Sequence, residues 1–425
     1  MINTNPEGSI STRSTFQTAE AVCKGHPDKL SDLIADSILD ACLREDQASR
    51  VACEVMVTKG HIIVAGEITC SARVDVKFIV RRTLEKVGYK PRHFRISVFL
   101  HQQSRDIAAG VDTALESRAT GVSNPYDQTG AGDQGTVYGY ATNENRAMLP
   151  TPLLYAQRIC RKLDECRTTQ LIKGIKPDGK AQVTVEYQGL KPVRVSAVVV
   201  SIQHDKNMTR ERLENEIRLH VLTPVFNDFP LDEQTAILIN PSGRFVEGGP
   251  DADTGLTGRK LCVDTYGGIG GLGGGALSGK DCTKVDRSGA YMARYIAKNL
   301  VWAGLAEKCE VAISYAIGKA NPVMISVKGF GTSMLTDQML TGIVCRVFDL
   351  RPAAIIDHLR LRQVCYSETS SYGHFGNFLF PWEDIDKLDE LIKTAREMID
   401  AEYGADTAAD PDIDPNDTGG QIHDD

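Results

Sequence analysis

The chain has 425 residues, 42% of them hydrophobic and 24% charged, with a formal net charge of −8. That length allows roughly two to three domains with buried cores, and the composition is ordinary for a soluble globular protein. Seven aspartates fall in residues 404–425, which hold no Lys or Arg, so the body is near neutral and lacks the basic footprint of a nucleic-acid binder.

The acidic tail is too poor in apolar residues to build a core and is expected to be disordered. Its simplest role is a solubilising end. The eleven cysteines are odd in number, scattered, and include no C-x-x-C pair. This argues against zinc ribbons and thioredoxin-like chemistry, and Cys42 and Cys53 read as small core hydrophobes. The start of the chain carries no apolar signal region, and the longest largely apolar run, Val193–Ile202, is too short to span a bilayer. A cytoplasmic protein without membrane contact is expected.

In chain order, 31–45 reads as an amphipathic helix with Leu33, Ile34, Ile38 and Cys42 on its apolar stripe and Ser31 or Asp32 as N-cap. Residues 51–58 and 61–69 flank a Lys59-Gly60 turn and predict a hairpin. A second helix is expected over 75–87, capped by Asp75, and a strand over 95–100. After a polar, glycine-bearing stretch at 101–135 come a helix at 153–166, a hairpin within 182–202, a helix near 209–222 and a strand at 236–239. The third stretch predicts a strand at 261–266, a helix at 286–305, strands at 311–317 and 323–327, and helices after Ser333 and Trp382. The order helix, hairpin, helix, strand recurs without a residue-level repeat. It predicts an α+β fold of three units, each a mostly antiparallel sheet with helices on one face.

Residues 240–286 carry the densest chemistry. Glycines alternate there with Arg244, Arg259, Lys260, Lys280 and Lys284, and with acids at Asp251, Asp253, Asp264, Asp281 and Asp286. Glycine allows close approach of backbone to a ligand, cations match phosphate oxygens, and carboxylates hold Mg²⁺ against those oxygens. The composition points to a polyphosphate site with its metal; the plainer reading is a solvated loop. Two motifs inside it do not hold. Gly268–Gly273 satisfies G-x-G-x-x-G, but no helix pattern begins before Asp286. Gly274–Lys280 approaches a P-loop, but Asp281 stands where Ser or Thr must bind Mg²⁺.

Elsewhere, Gly25-His-Pro-Asp-Lys29 precedes the first helix, which makes His26 and Asp28 candidates for phosphate contact and metal ligation, or an ordinary helix entry. Glu54 and Glu67 lie on neighbouring strands; a buried Glu54 requires a cationic partner, a solvent-facing one does not. Gly130–Gly135 frames Asp133 in glycines, as a binding turn or an ordinary tight turn. Tyr372–Gly376 reads as an aromatic turn packed on the core.

Taken in order, GHPDK (25–29), RVACE (50–54), GEIT (66–69), GAGDQG…GYATNE (130–144), KPDGKAQV (176–183), NPSGRFVEGGPDADTGLTGRK (240–260), VDTYGG (263–268), GGGALSGKDCTKVDRS (273–288), SYAIG (314–318) and YGHFG (372–376) closely resemble the methionine adenosyltransferases, or S-adenosylmethionine synthetases. The resemblance implies three similar domains about a pseudo-threefold axis, expected at 14–105, 128–246 and 247–395, with 404–425 as the tail. It further implies a homodimer, often doubled to a homotetramer, with active sites between subunits.

The implied reaction joins ATP and L-methionine to S-adenosylmethionine and cleaves the released tripolyphosphate to phosphate and pyrophosphate. By the same resemblance, His26, Lys180, Arg259 and Lys280 would serve catalysis. Asp178, Arg244, Phe245, Asp253, Lys260 and Ala276 would join them in binding ATP. Glu67, Gln103, Asp133, Asp253 and Lys284 would contact methionine; Asp28 and Asp286 would ligate two Mg²⁺ ions, and Glu54 a K⁺ ion. The chain departs from the family pattern at Lys24, at Arg105, Ala108 and Ala109 after Gln103, and at Leu272 and Leu277. None of these changes removes a charged residue named above.

Overall fold

The computed structural model describes residues 14–104, 113–120 and 124–403. Arg105, Ala108, Ala109 and the acidic tail lie outside them.

The first stretch gives strand β1 (Thr15–Val22), helix α1 (Pro27–Glu45), strands β2 (Arg50–Thr58) and β3 (His61–Thr69), helix α2 (Val76–Val87) and strand β4 (Arg95–His101). The second gives β5 (Gly135–Thr142), α3 (Thr151–Thr168), β6 (Ile175–Gln188), β7 (Lys191–His204), α4 (Arg210–Ile217) and β8 (Ala236–Ile239). The third gives β9 (Gly255–Leu256), α5 (Val285–Trp302), β10 (Lys308–Tyr315), β11 (Met324–Lys328), α6 (Asp337–Val347) and α7 (Leu388–Tyr403). The expected order of elements recurs in the first two stretches; the third ends in helices. Asp75 caps α2 as expected, accepting from the Phe78 N–H at 3.0 Å.

Among the described residues the strands form three sheets, ordered β9-β2-β3-β4, β1-β6-β7-β8 and β5-β10-β11. Each leading strand leaves its own stretch. β1 pairs with β6, β5 with β10 and β9 with β2, all antiparallel, so the three units exchange edges in a closed cycle. In two sheets the last strand adds in parallel, β4 on β3 and β8 on β7. Alternation along β2 sends Val51, Cys53, Val55 and Val57 into the core, where α1 covers them with Leu30, Ile34, Ile38 and Cys42. The opposite sheet faces carry no helix among the described residues and leave Phe16, Phe99 and Leu238 exposed.

Four expectations need correction. The first helix begins at Pro27 rather than Ser31, because proline's fixed φ suits the first helical position and His26, not Ser31 or Asp32, is the cap. The segment read as a strand at 261–266 is a short helix, Leu261–Asp264. Its N–H groups turn back on Lys260 and Leu261 carbonyls, Asp264 is held by the buried Lys29, and Gly267 and Gly268 end it at positive φ. The hairpin placed at 182–202 runs from Ile175 to His204. Strands β1 and β5 were not expected, since TFQTAEAV and GTVYGYAT carry weak alternation and find their partners far along the chain.

Candidate active site

The glycine-rich loop is fixed along the free edge of β2 at two places. Gly255 and Leu256 pair with Val57 and Met56, and the Thr257 N–H donates to the Val55 carbonyl at 3.0 Å. Further along, the Cys53 N–H donates to Gly279 O at 2.9 Å and the Asp281 N–H to Val51 O at 3.1 Å. The segment between, 258–278, loops out. Both anchors need glycine: a Cβ on Gly255 would stand 2.1 Å from the Pro27 carbonyl, and one on Gly279, at φ +82°, would stand 2.1 Å from Cys53 O.

A ladder of aspartates on α1 holds the loop from the other side. Asp28, Asp32, Asp36 and Asp40 follow at four-residue intervals and so share one helix face. Asp28 accepts from the Leu256 N–H (3.0 Å), Asp32 from Gly258 (2.9 Å) and Asp36 from Gly279 (2.8 Å). Asp40 accepts from Tyr366 (2.7 Å) and Ser367 (2.9 Å). Of these four, sequence reading gave a site role to Asp28 alone and took Asp32 for a possible N-cap; the spacing of four was the signal it passed over, taking the helix for a plain apolar stripe. Buried Lys29 ties the ladder to the loop again, donating to Asp32 at 3.0 Å and to Asp264 at 2.5 Å. Burial pushes the Asp32 carboxyl up to about 7, with Lys29 opposing and Asp264 adding.

The candidate residues fall into two sets. At the start of α1, buried Asp28 receives Lys260 Nζ at 2.6 Å, and Arg259 Nε lies 3.6 Å away. Burial alone would raise the Asp28 carboxyl; the bonds from Lys260 and the Leu256 N–H hold it below the ordinary range. His26 Nδ1 accepts from the Asp28 N–H at 3.2 Å. Burial first, then the charges of Lys180 and Lys260, push its imidazole down to about 3. His26 is therefore neutral, with its remaining proton on Nε2, and can donate one hydrogen bond. Asp178 is buried and accepts from the Gly249 N–H at 2.8 Å; burial pushes its carboxyl up, Lys180 opposes and Asp253 adds. Phe245 is fixed by paired bonds with His204, while Arg244 is exposed. Ala276 packs where a Cβ on Gly258 would meet it.

The second set sits on the helix-free face of the sheet. Glu54 and Glu67 share that face in diagonal register, Glu54 opposite Ala65 and Glu67 opposite Ala52. Lys280 bridges to Ala52 and so joins them there, with its ammonium 2.5 Å from Asp286. The solvent-facing reading of Glu54 holds, yet partial desolvation pushes its carboxyl up, Lys280 opposing and Glu67 adding. Glu67 meets His101 at 3.2 Å. Lys284 is engaged by Asp281, which also accepts from Val51 and Thr283. The turn that carries exposed Asp133 packs on the same segment, Gly132 lying against the Thr283 carbonyl. Gln103 follows the end of β4, half-buried.

Among the described residues no three His, Cys, Asp or Glu side chains group closely enough to enclose a metal ion. Asp28 and Asp286 each present one carboxylate beside lysines. That suits Mg²⁺ held by one or two carboxylates and completed by phosphate oxygens and water rather than by a protein cage. A cavity of about 1120 Å³ among the described residues is lined by none of these candidates. Among the described residues no helix is long and apolar enough to cross a membrane.

The fold is thus of the three-unit α+β class, with a charged glycine loop closed over one sheet edge. The chain belongs to the S-adenosylmethionine synthetase family: residues 14–107, 128–245 and 247–384 match that family's N-terminal, central and C-terminal domains. It is 50% identical over 383 residues to the S-adenosylmethionine synthase of Clostridium tetani, covering 88% of this chain and 98% of the relative. It is also 50% identical over 386 residues to the S-adenosylmethionine synthase of Thermus thermophilus, covering 89% and 98%.

Proposed function

We propose that the protein is a methionine adenosyltransferase that forms S-adenosylmethionine from ATP and L-methionine by attack of sulfur on C5′, and then hydrolyses the tripolyphosphate to phosphate and pyrophosphate. The observation that carries this reading is the placing of Lys260 and Arg259 on Asp28, beside a neutral His26, in the first turn of α1. The family membership and the names of the relatives agree with it.

A thioether sulfur has no proton to lose, so its attack needs no general base. The barrier lies in the leaving group, a triphosphate gathering negative charge, and in aligning sulfur, carbon and oxygen. Lys180, Arg244, Arg259, Lys260 and Lys280 would bind the phosphates and offset that charge, as preorganised cations do. Neutral His26, donating from Nε2, would bond the oxygen at the bond that breaks without adding a charge of its own. Asp178, Phe245, Asp253 and Ala276 would frame the nucleotide; Glu67, Gln103, Asp133 and Lys284 would orient methionine near attack distance. Mg²⁺ on Asp28 and Asp286 would screen phosphate charge, and K⁺ would lie at Glu54.

The two sets of residues occupy opposite sides of one sheet edge, and the helix-free faces expose Phe16, Phe99 and Leu238. Both features support a homodimer, or a dimer of dimers, in which facing copies complete each other's sites. A cytoplasmic location fits this reaction.

The test is direct. Purified protein with ATP, Mg²⁺, K⁺ and methionine should yield a sulfonium product by mass spectrometry, with phosphate release that requires methionine. Phosphate release indifferent to methionine would point to another nucleotide enzyme, and no turnover to a non-catalytic member of the family.

A further inference from the structure

A cavity of about 1120 Å³ opens between α3, the end of α2 and the segment that carries Tyr372. Its charges are unequal in their pairing. Asp164 is bonded by Arg167 and the Tyr372 hydroxyl, Asp228 by Arg158, and Glu165 by Lys162. Glu144 accepts from the Tyr187 hydroxyl and the Thr151 N–H. Glu368 is the only acid on its wall left without a side-chain partner among the described residues. Against it stand four cations, Lys24, Lys86, Arg146 and Arg161, none in an ion pair among the described residues.

Two of these cations share one aromatic ring. Lys24 Nζ and the Arg161 guanidinium lie 5.4 and 5.1 Å from the centre of the same Tyr372 ring. Lys24 is crowded enough that burial, with Lys86, Arg161 and Arg167 nearby and only Asp164 opposing, pulls its ammonium below the ordinary lysine range. A second observation is independent of charge. Gln157 Nε2 and Ser371 Oγ are buried on the wall of this cavity and have no hydrogen-bond partner among the described residues. Buried polar groups in folded proteins nearly always have partners, so two orphans on the wall of one cationic cavity are bonds that the described residues leave unmade.

We propose that this cavity binds a small phosphorylated molecule, its phosphoryl group among Lys24, Lys86 and Arg161 with Gln157 and Ser371 donating to its oxygens. A phosphoryl dianion carries the charge and the three acceptor oxygens that this set can satisfy; a single carboxylate would leave donors unmet. The aromatic side chains of Phe375, Phe378 and Phe380 on the same wall would receive an apolar or ring portion. The source of the phosphoryl group is either free phosphate or a phosphate ester.

Equilibrium dialysis of the full-length protein with labelled inorganic phosphate and, separately, with AMP tests this. At least one probe should bind with a dissociation constant below millimolar. Binding should persist in Lys280→Ala, which disables the glycine loop, and should weaken by about tenfold or more in Lys86→Glu/Arg161→Glu, whose side chains are solvent-accessible. Gln157→Leu/Ser371→Ala should weaken it without a change of charge. Equal binding of both probes would identify the free anion as sufficient; binding of AMP alone would identify an ester. Absence of binding by both, or binding lost in Lys280→Ala and kept in Lys86→Glu/Arg161→Glu, would overturn the proposal. Sulfonium formation is read in a separate assay, so failure here and failure of the proposed reaction are distinguishable.

Discussion

Lys280 and Arg287 belong to one short segment and both meet an aspartate, yet their surroundings are opposite. Arg287 is fully buried and saturated, with both Asp36 oxygens at 2.8 Å, the Lys280 carbonyl, the Thr369 hydroxyl and the Tyr291 hydroxyl around it. Lys280 is 21% exposed and, among the described residues, its ammonium holds only Asp286. A saturated buried pair cannot part without stranding a charge, so it fixes α1 to α5. A partly exposed pair, at 21% and 16%, with only one bond filled can exchange its partner for a ligand oxygen at less cost. Positive charge and an aspartate partner are shared; burial and the number of filled bonds separate scaffold from working group.

That contrast can be broken by substitution. Arg287→Met leaves Asp36 buried and unpaired and should lower stability by about 3–5 kcal/mol, read as the urea midpoint, with the surviving folded fraction still active. Lys280→Ala should reverse the pattern. Thermal stability should barely move, while kcat falls about a hundredfold and the KM for methionine changes little. An unchanged kcat would remove Lys280 from leaving-group stabilisation.

Between those extremes lies the loop anchor. Gly279→Ala forces a side chain into φ +82° against Cys53 O. It should destabilise by about 1–3 kcal/mol and raise the KM for ATP by loosening 258–278; steady-state kinetics and calorimetry on one preparation would show both or neither.

The smallest effect concerns acid. His374 is fully buried, its Nδ1 bonded with the Tyr291 hydroxyl at 2.8 Å, and burial with Arg287 and Lys29 nearby holds its imidazole well below the ordinary range. In the unfolded chain this histidine takes a proton near pH ~6.5, whereas the folded chain refuses it. The unfolded state therefore binds more protons, and stability is lost as pH falls below about 6.5, by at most about 1.4 kcal/mol per pH unit. Urea titrations from about pH 7 to about pH 5 should show a shallower slope in His374→Gln than in the parent; equal slopes would dismiss this residue as a source.

How much of this was legible in the sequence follows from the range of each interaction. The hairpin β2–β3 and helices α2, α3 and α5 were readable because turn, cap and apolar period are local. The glycine loop's charges were readable as composition. Strand β1 was not, because its partner β6 lies far along the chain and its own alternation is broken by polar residues. The short helix Leu261–Asp264 read as a strand because the buried Lys29 that holds Asp264 comes from α1. The aspartate ladder was visible as a spacing of four, but its meaning depends on loop N–H groups more than two hundred residues away. The cationic cavity gathers Lys24 from the turn before α1, Lys86 from α2 and Arg161 from α3, and no window of sequence contains them.

The account turns on the cations of the glycine loop meeting phosphate. A crystal structure of the protein with a non-hydrolysable ATP analogue and Mg²⁺ measures this most directly. The prediction is that Lys260 and Lys280 leave Asp28 and Asp286 for phosphate oxygens, with Arg259 alongside. A nucleotide bound elsewhere, with both lysines still on their aspartates, would contradict it.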